Sequence, residues 1–209
     1  VSGGTLVVNG SFTVSPIAVG TTAMLAGDGV IGSYVVIQSG GTLSPGTPVG
    51  KLTVNNSLTL QSGSTTRIDL QRAPLAYDVL CVTGSLSCGG TLIVTNLAGD
   101  LQAGDAFTIF QAGAFLNGFA AMQLPPLGPA LAWQTDTLTL DGTLRVVSTT
   151  NRTPPNLASV LEGNSLVLSW PEDHVGWQLQ VQTNPSSTGL STNWVELLGS
   201  ESTHRIVFP

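Results

Sequence analysis

Lysine is almost missing from this chain: Lys51 is the only one in 209 residues. Charged residues of all kinds make up 9%, far below the usual quarter. Six basic residues against twelve acidic ones leave a formal net charge of −6. A nucleic-acid partner needs a basic patch, and six scattered cations supply none. The same shortage excludes electrostatic attachment to an anionic membrane surface. Two histidines are too few for a zinc site with His or Cys spacing, and Cys81 and Cys88 form no CxxC pattern. No apolar run approaches 18 residues, so no transmembrane helix is expected. No secretory leader is visible, and the chain opens at Val1-Ser2-Gly3-Gly4 in the middle of a repeat. A processed start or a fragment of a longer chain is expected.

What stands in place of charge is Thr, Ser, Asn and 25 glycines, around an apolar content of 42%. That is enough apolar matter for a core, and it excludes disorder by charge repulsion. A polar surface with little charge repels its own copies weakly, so self-association is tolerated.

A nine-residue pattern recurs: apolar, any, apolar, Asn/Thr/Asp, Gly/Asn, Ser/Thr, apolar, any, apolar. It runs over 6–14, 52–60, 80–88 and 138–146, beginning each time at a leucine: Leu6, Leu52, Leu80, Leu138. Each half alternates with period two, which is the strand signature. The central Asn-Gly, Asn-Asn, Thr-Gly or Asp-Gly suits a tight turn. A second tag, Gly-Gly-Thr-Leu, begins at Gly3, Gly40 and Gly89. Together they predict an all-β fold: a solenoid-like repeat region over 1–147, with a meandering β-sandwich as the alternative. The segment from Ala112 to Met122 contains Gly113 and Gly118 and reads as a loop with at most one helical turn.

Composition changes at Ser148-Thr149-Thr150-Asn151-Arg152-Thr153-Pro154-Pro155, which reads as a linker over 148–155. Three of the four tryptophans, Trp170, Trp177 and Trp194, lie beyond it. Alternation predicts strands over 165–170, 176–182 and 194–198, with Leu166, Leu168 and Trp170 on one face. The region 156–209 is expected to be a small β-sandwich.

The run Gly40-Gly41-Thr42-Leu43-Ser44-Pro45-Gly46-Thr47-Pro48-Val49-Gly50-Lys51-Leu52-Thr53-Val54 resembles the autotransporter-associated β-strand repeat. Asp78 to Val147, with Ala103-Gly104-Asp105-Ala106-Phe107-Thr108-Ile109-Phe110, looks like the region that often succeeds such repeats in large secreted bacterial proteins. The resemblance implies a right-handed parallel β-helix exported to the cell exterior, and it carries no catalytic residues. The C-terminal region resembles a fibronectin type III or immunoglobulin-like module.

No enzyme signature is present: no Gly-x-Ser-x-Gly elbow, no phosphate loop, no cofactor motif. Glu172-Asp173-His174 is the one close titratable cluster, and its setting between Pro171 and Gly176 reads as a solvated turn. Asp28, Asp100 and Asp105 read as turn formers, not calcium ligands. Asp69 and Asp78 lie in or near strands, and nothing in the sequence pairs them as a glycosidase requires. Trp170, Trp177 and Trp194 read as core, with a sugar-stacking platform as the alternative. Neither catalytic, cofactor nor metal residues are expected.

The function these features imply is a structural subunit of an extracellular bacterial filament or surface assembly, built through strand edges. A cell-surface adhesin or carbohydrate-binding module is the alternative, and a polysaccharide-active enzyme comes third. The candidate assembly residues are Val1, Leu6, Val8, Ile206, Val207 and Phe208, at two apolar strand-like ends. The partners are further copies of the chain, with a surface glycan under the alternative. Finally, burial of positions 80, 82, 86 and 88 on one face predicts Cys88 as a buried free thiol, not bonded to Cys81. A three-residue connection, 83–85, is expected between the halves, as a hairpin or as a solenoid corner.

Overall fold

The structure, a computed structural model, describes residues 1–13, 15–149, 155–174, 176–185 and 187–209. It is all-β, and the only helices among the described residues are two three-residue 3-10 turns. The chain divides into two compact units, Val1–Leu127 with Trp133–Val147, and Gly128–Ala132 with Ser148–Pro209. Of the expected linker 148–155, residues 150–154 lie outside the described residues.

The first unit is dominated by two sheets of many parallel strands. The chain enters three strand stacks in turn: β1 (Gly4–Val7), β2 (Ser11–Phe12), β3 (Ile17–Val19). It then repeats the sequence with β4 (Ala23–Gly27), β5 (Val30–Ile31), β6 (Val35–Ile37) and with β7 (Thr42–Pro45), β8 (Lys51–Val54), β9 (Leu58–Leu60). A fourth pass comprises β10 (Thr65–Gln71), the short β11 (Ala76–Tyr77) and the long β12 (Val79–Ser87). A fifth comprises β13 (Thr91–Asn96), β14 (Ala106–Thr108) and β15 (Phe110–Leu116), and β16 (Ala121–Gln123) closes the first stack.

Register explains the core. In the first stack Leu6, Leu25, Leu43, Thr66, Leu92 and Met122 are successive parallel partners. In the second, Phe12, Ile31, Val54, Val82 and Ala112 follow one another. In the third the column is Ile17, Val35, Leu58, Leu86 and Phe115. Neighbouring strands lie roughly 4.8 Å apart, so each column stacks its side chains in contact; they are mostly aliphatic, with Thr66, Phe12 and Phe115 as exceptions. Leu25, Leu43, Leu92, Ile31, Val54, Leu58 and Leu86 are completely buried.

The Gly-Gly-Thr-Leu tag marks the entry to the first stack every time it occurs: Thr5, Thr42 and Thr91 stand in one column, Leu6, Leu43 and Leu92 in the next. The nine-residue pattern is not one structural unit. Over 6–14 it bends from β1 into β2, with Val14 outside the described residues. Over 52–60 it spans β8 and β9, which both pair with β12. Over 80–88 it is nearly all one strand, irregular against β15 between Val82 and Ser85. The expected three-residue connection, 83–85, lies between the half of β12 that pairs with β8 and the half that pairs with β9; it is no hairpin, since no chain reversal is needed to put four even-numbered positions on one face. Over 138–146 the first half is turn, and Leu140 is 76% exposed. Ala112 to Met122, expected as a loop, is mostly strand: parallel pairing with β12 and β13 supplies bonds that outweigh its glycines.

Spacing between partners is uneven because one connection grows. Between the first and second stacks the connecting segments are 8–10, 28–29, 46–50, 72–78 and 97–109. Between the third and the first they stay short, from 20–22 to 117–120. Beyond the stacks, β17 (Leu131–Gln134) and β18 (Thr143–Ser148) join β14 in a small sheet, with Phe107 opposite Leu144.

The second unit holds two antiparallel sheets. One contains β19 (Ala158–Glu162), β20 (Ser165–Ser169) and, from further along the chain, Arg205–Phe208; the other pairs β21 (Gln180–Val181) with β22 (Val195–Glu196). The segment Arg205–Phe208 is β23. Trp170 is buried at 7%, as expected, but Leu166 is exposed and Val167 on the opposite face is buried.

Candidate functional site

Three places concentrate features that packing alone does not require: the open strand edges, the growing corner, and a groove in the second unit.

The open edges come first. β1 ends the first stack, and β2 and β3 end the two arms of the eight-stranded sheet. Val1 already runs along β3: its amino group donates to Ala18 O at 2.6 Å, and Gly20 N donates to Val1 O at 2.8 Å. Leu6 pairs with Leu25 and is half-buried. Val8 is buried, with its N donating to Ala26 O and its O accepting from Gly29 N. At the far end, β16 and β15 are the last members, and Phe110 N donates to Gly142 O, so the second stack is partly covered there. Ile206, Val207 and Phe208 pair with Leu168, Val167 and Leu166, and β23 is an edge of its sheet. Val1, Leu6 and Val8 thus share one end of the stacks, while Ile206, Val207 and Phe208 sit in the second unit.

The growing corner gathers carboxylates. Asp69 and Asp78, which nothing in the sequence pairs, face each other across the β10–β11 hairpin. Asp78 N donates to Asp69 O at 2.8 Å, and Asp78 Oδ2 accepts from Asp69 N at 2.8 Å. Asp78 Oδ1 accepts from Gly50 N at 2.9 Å. Asp78 is 1% exposed. Burial, with the negative Asp69 beside it, pushes its carboxyl up to about 7 against the pull of its two backbone donors. Gly46 has a positive φ and packs so close that a Cβ there would overlap Asp78 Oδ1. A Cβ on Gly50 would stand 3.1 Å from that of Asp28, so the turn of the second pass abuts that of the third. One pass further on, Arg72 Nε pairs with Asp105 at 3.0 Å and its Nη2 donates to Gln102 at 2.9 Å. Among the described residues no group of three His, Cys, Asp or Glu side chains could hold a metal ion. Each oxygen of Asp78 accepts from a backbone donor.

No protein-family model matches the chain, and no curated protein matches it.

The groove lies between Trp170 and Trp177, with Pro155, Leu157, Leu179 and Gln180 around it, and holds about 210 Å³. The Trp170 indole N–H is buried without a hydrogen-bond partner among the described residues. His174 is buried, its ring 5.9 Å from that of Trp177. Sequence placed it in a solvated turn; the 3-10 turn Glu172–His174 instead tucks the imidazole inward and leaves Glu172 outside, 3.7 Å from His204. Trp194 does not join the pair and is 47% exposed.

Sequence reasoning missed Gly46 and Gly50 as partners of Asp78. The signal was present as Gly-x-x-x-Gly ahead of a strand, but nothing local points to a carboxylate 28 residues downstream of Gly50.

Proposed function

We propose that this protein is a structural subunit of an extracellular bacterial filament or surface assembly, without catalytic activity of its own. In this reading 1–147 is a right-handed parallel β-helix and 156–209 a small β-sandwich related to fibronectin type III or immunoglobulin modules. The observation that carries it is the end formed by β1, β2 and β3, where β1 and β2 present parallel edges and Val1 lies along β3. Unpaired edge groups recruit another chain. The free edge of β16 on one copy offers β1 of the next the same parallel pairing that β13 makes with β16. Such a contact is head-to-tail and does not close, so it propagates as a fibre. Low charge lets the copies approach.

Negative-stain microscopy with sedimentation velocity tests this. Wild-type protein forms filaments; Val7→Lys on β1 or Met122→Lys on β16 shortens or abolishes them with the circular dichroism spectrum unchanged. Deletion of Ile206–Pro209 tests the C-terminal edge in the same way. A wild-type chain that stays monomeric at all accessible concentrations overturns the reading.

A second reading, an adhesin or carbohydrate-binding module, is favoured by the Trp170–Trp177 groove, because sugar rings stack on indole faces. A glycan-dependent change in tryptophan fluorescence from a monomeric protein supports it over the first.

A further inference from the structure

The geometry points to Asp78 as a proton-responsive clamp on the connection 46–50. Three observations carry this. First, the carboxyl joins two separate passes of the chain: Oδ1 holds Gly50 N of the third, and Oδ2 holds Asp69 N of the fourth. Second, the connection has no slack at that point. Gly46 N donates to Gly27 O, Gly50 O accepts from Val79 N, and the carboxyl fills the space a side chain at Gly46 would need. Third, the buried carboxyl has no cation bonded to it among the described residues. The titratable groups on the elements around it are Asp69 and Arg67 on β10, Arg72 just after it, Lys51 on β8, Asp28 on the preceding connection, Tyr77 on β11 and Cys81 on β12. Arg72 is committed to Asp105, Lys51 and Asp28 are exposed, and Asp69 adds a like charge.

A buried carboxylate with a like-charged neighbour and no counterion takes up its proton well above the usual carboxylate range. With the ionised form, both oxygens accept and both passes are tied. With the protonated form, one oxygen carries hydrogen and accepts poorly, so one of the two amides is released. Neutralising the buried charge outweighs that single weakened bond, so the fold persists while the connection loosens.

The test reads the two amides and the carboxyl in the intact chain. Hydrogen exchange of the Gly50 and Asp69 amides, corrected for intrinsic rates, is followed from pH 8.5 to 5.5, together with the carbon-13 shift of the Asp78 carboxyl. Protection of at least one of the two amides falls about tenfold or more, the scale of one charge-assisted bond, as the carboxyl titrates near neutrality. The Leu43 and Leu92 amides on the flanking strands stay protected throughout. Asp78→Asn, which keeps one acceptor and cannot ionise, shows the low-pH protection at every pH. A carboxyl midpoint below 5 overturns the clamp, and so does unchanged protection of both amides across the wild-type titration.

Discussion

Gly90 sits against the carbonyl of Ser64 with φ +63, so close that a Cβ would overlap that oxygen and stand 2.7 Å from Ser64 Oγ. The bond from Thr91 N to Ser64 O at 2.9 Å is made at the same point. Gly90→Ala therefore meets both a strained backbone and a backbone obstacle. It is expected to lower unfolding free energy by more than about 2 kcal/mol in chemical denaturation. Gly3→Ala, with nothing within 4 Å, serves as the near-neutral counterpart.

Val82 and Leu140 hold the same place in two copies of the nine-residue pattern, yet Val82 is 1% and Leu140 76% exposed. Val82→Ala is expected to cost roughly 1–3 kcal/mol, through lost transfer energy and the cavity left behind. Leu140→Ala is expected to stay within about 0.5 kcal/mol. Equal effects would mean that the third and fourth copies are packed alike.

Stability should depend on pH through Asp78. Its folded value of about 7 lies above the ordinary 3.8, so the folded chain holds the proton more tightly than the unfolded one. The contribution is fully present below about pH 4, is lost as pH rises towards 7, and is flat above, with an amplitude on the order of a few kcal/mol. Urea unfolding at fixed temperature from pH 4.5 to 8 checks this. Asp78→Asn should remove most of the slope between 5 and 7, and a wild-type stability that rises across that window contradicts the assignment.

Cys81 and Cys88 are both free; Cys81 is half-buried and Cys88 buried, with burial pushing the Cys88 thiol up to about 11. Alkylation at pH 8 should label Cys81 well before Cys88 in the folded chain, and both together in denaturant. Peptide mapping without reductant should find no Cys81–Cys88 bond.

The cysteine result illustrates what could be read from residues alone. The face assignment of Leu80, Val82, Leu86 and Cys88 holds, because alternation is a local property of extended chain. The connection Thr83-Gly84-Ser85 does separate the two halves, one paired with β8 and the other with β9, but whether it reverses or runs on was not legible, because the strand alongside decides that. Gly-Gly-Thr-Leu was legible as a repeat for a similar reason: at the two later entries to the first stack its glycines meet a carbonyl, as Gly41 and Gly90 do. The pairing of Asp69 with Asp78 was hidden, since it depends on a hairpin whose middle lacks alternation. β19 was missed as well. Its five residues are all exposed, so its sequence carries no buried-face pattern to detect.

The confinement of length change to the segments 8–10, 28–29, 46–50, 72–78 and 97–109 separates two jobs that most folds entangle. Insertions at this corner leave the column Leu6, Leu25, Leu43, Thr66, Leu92 in register, and loop closure grows only logarithmically with length. The corner is thus a splice point. A foreign epitope or peptide tag inserted near Gly99 or Gly104 would be displayed at the surface without redrawing the scaffold beneath it. Copies aligned in a fibre would present that cargo as a periodic array along one side.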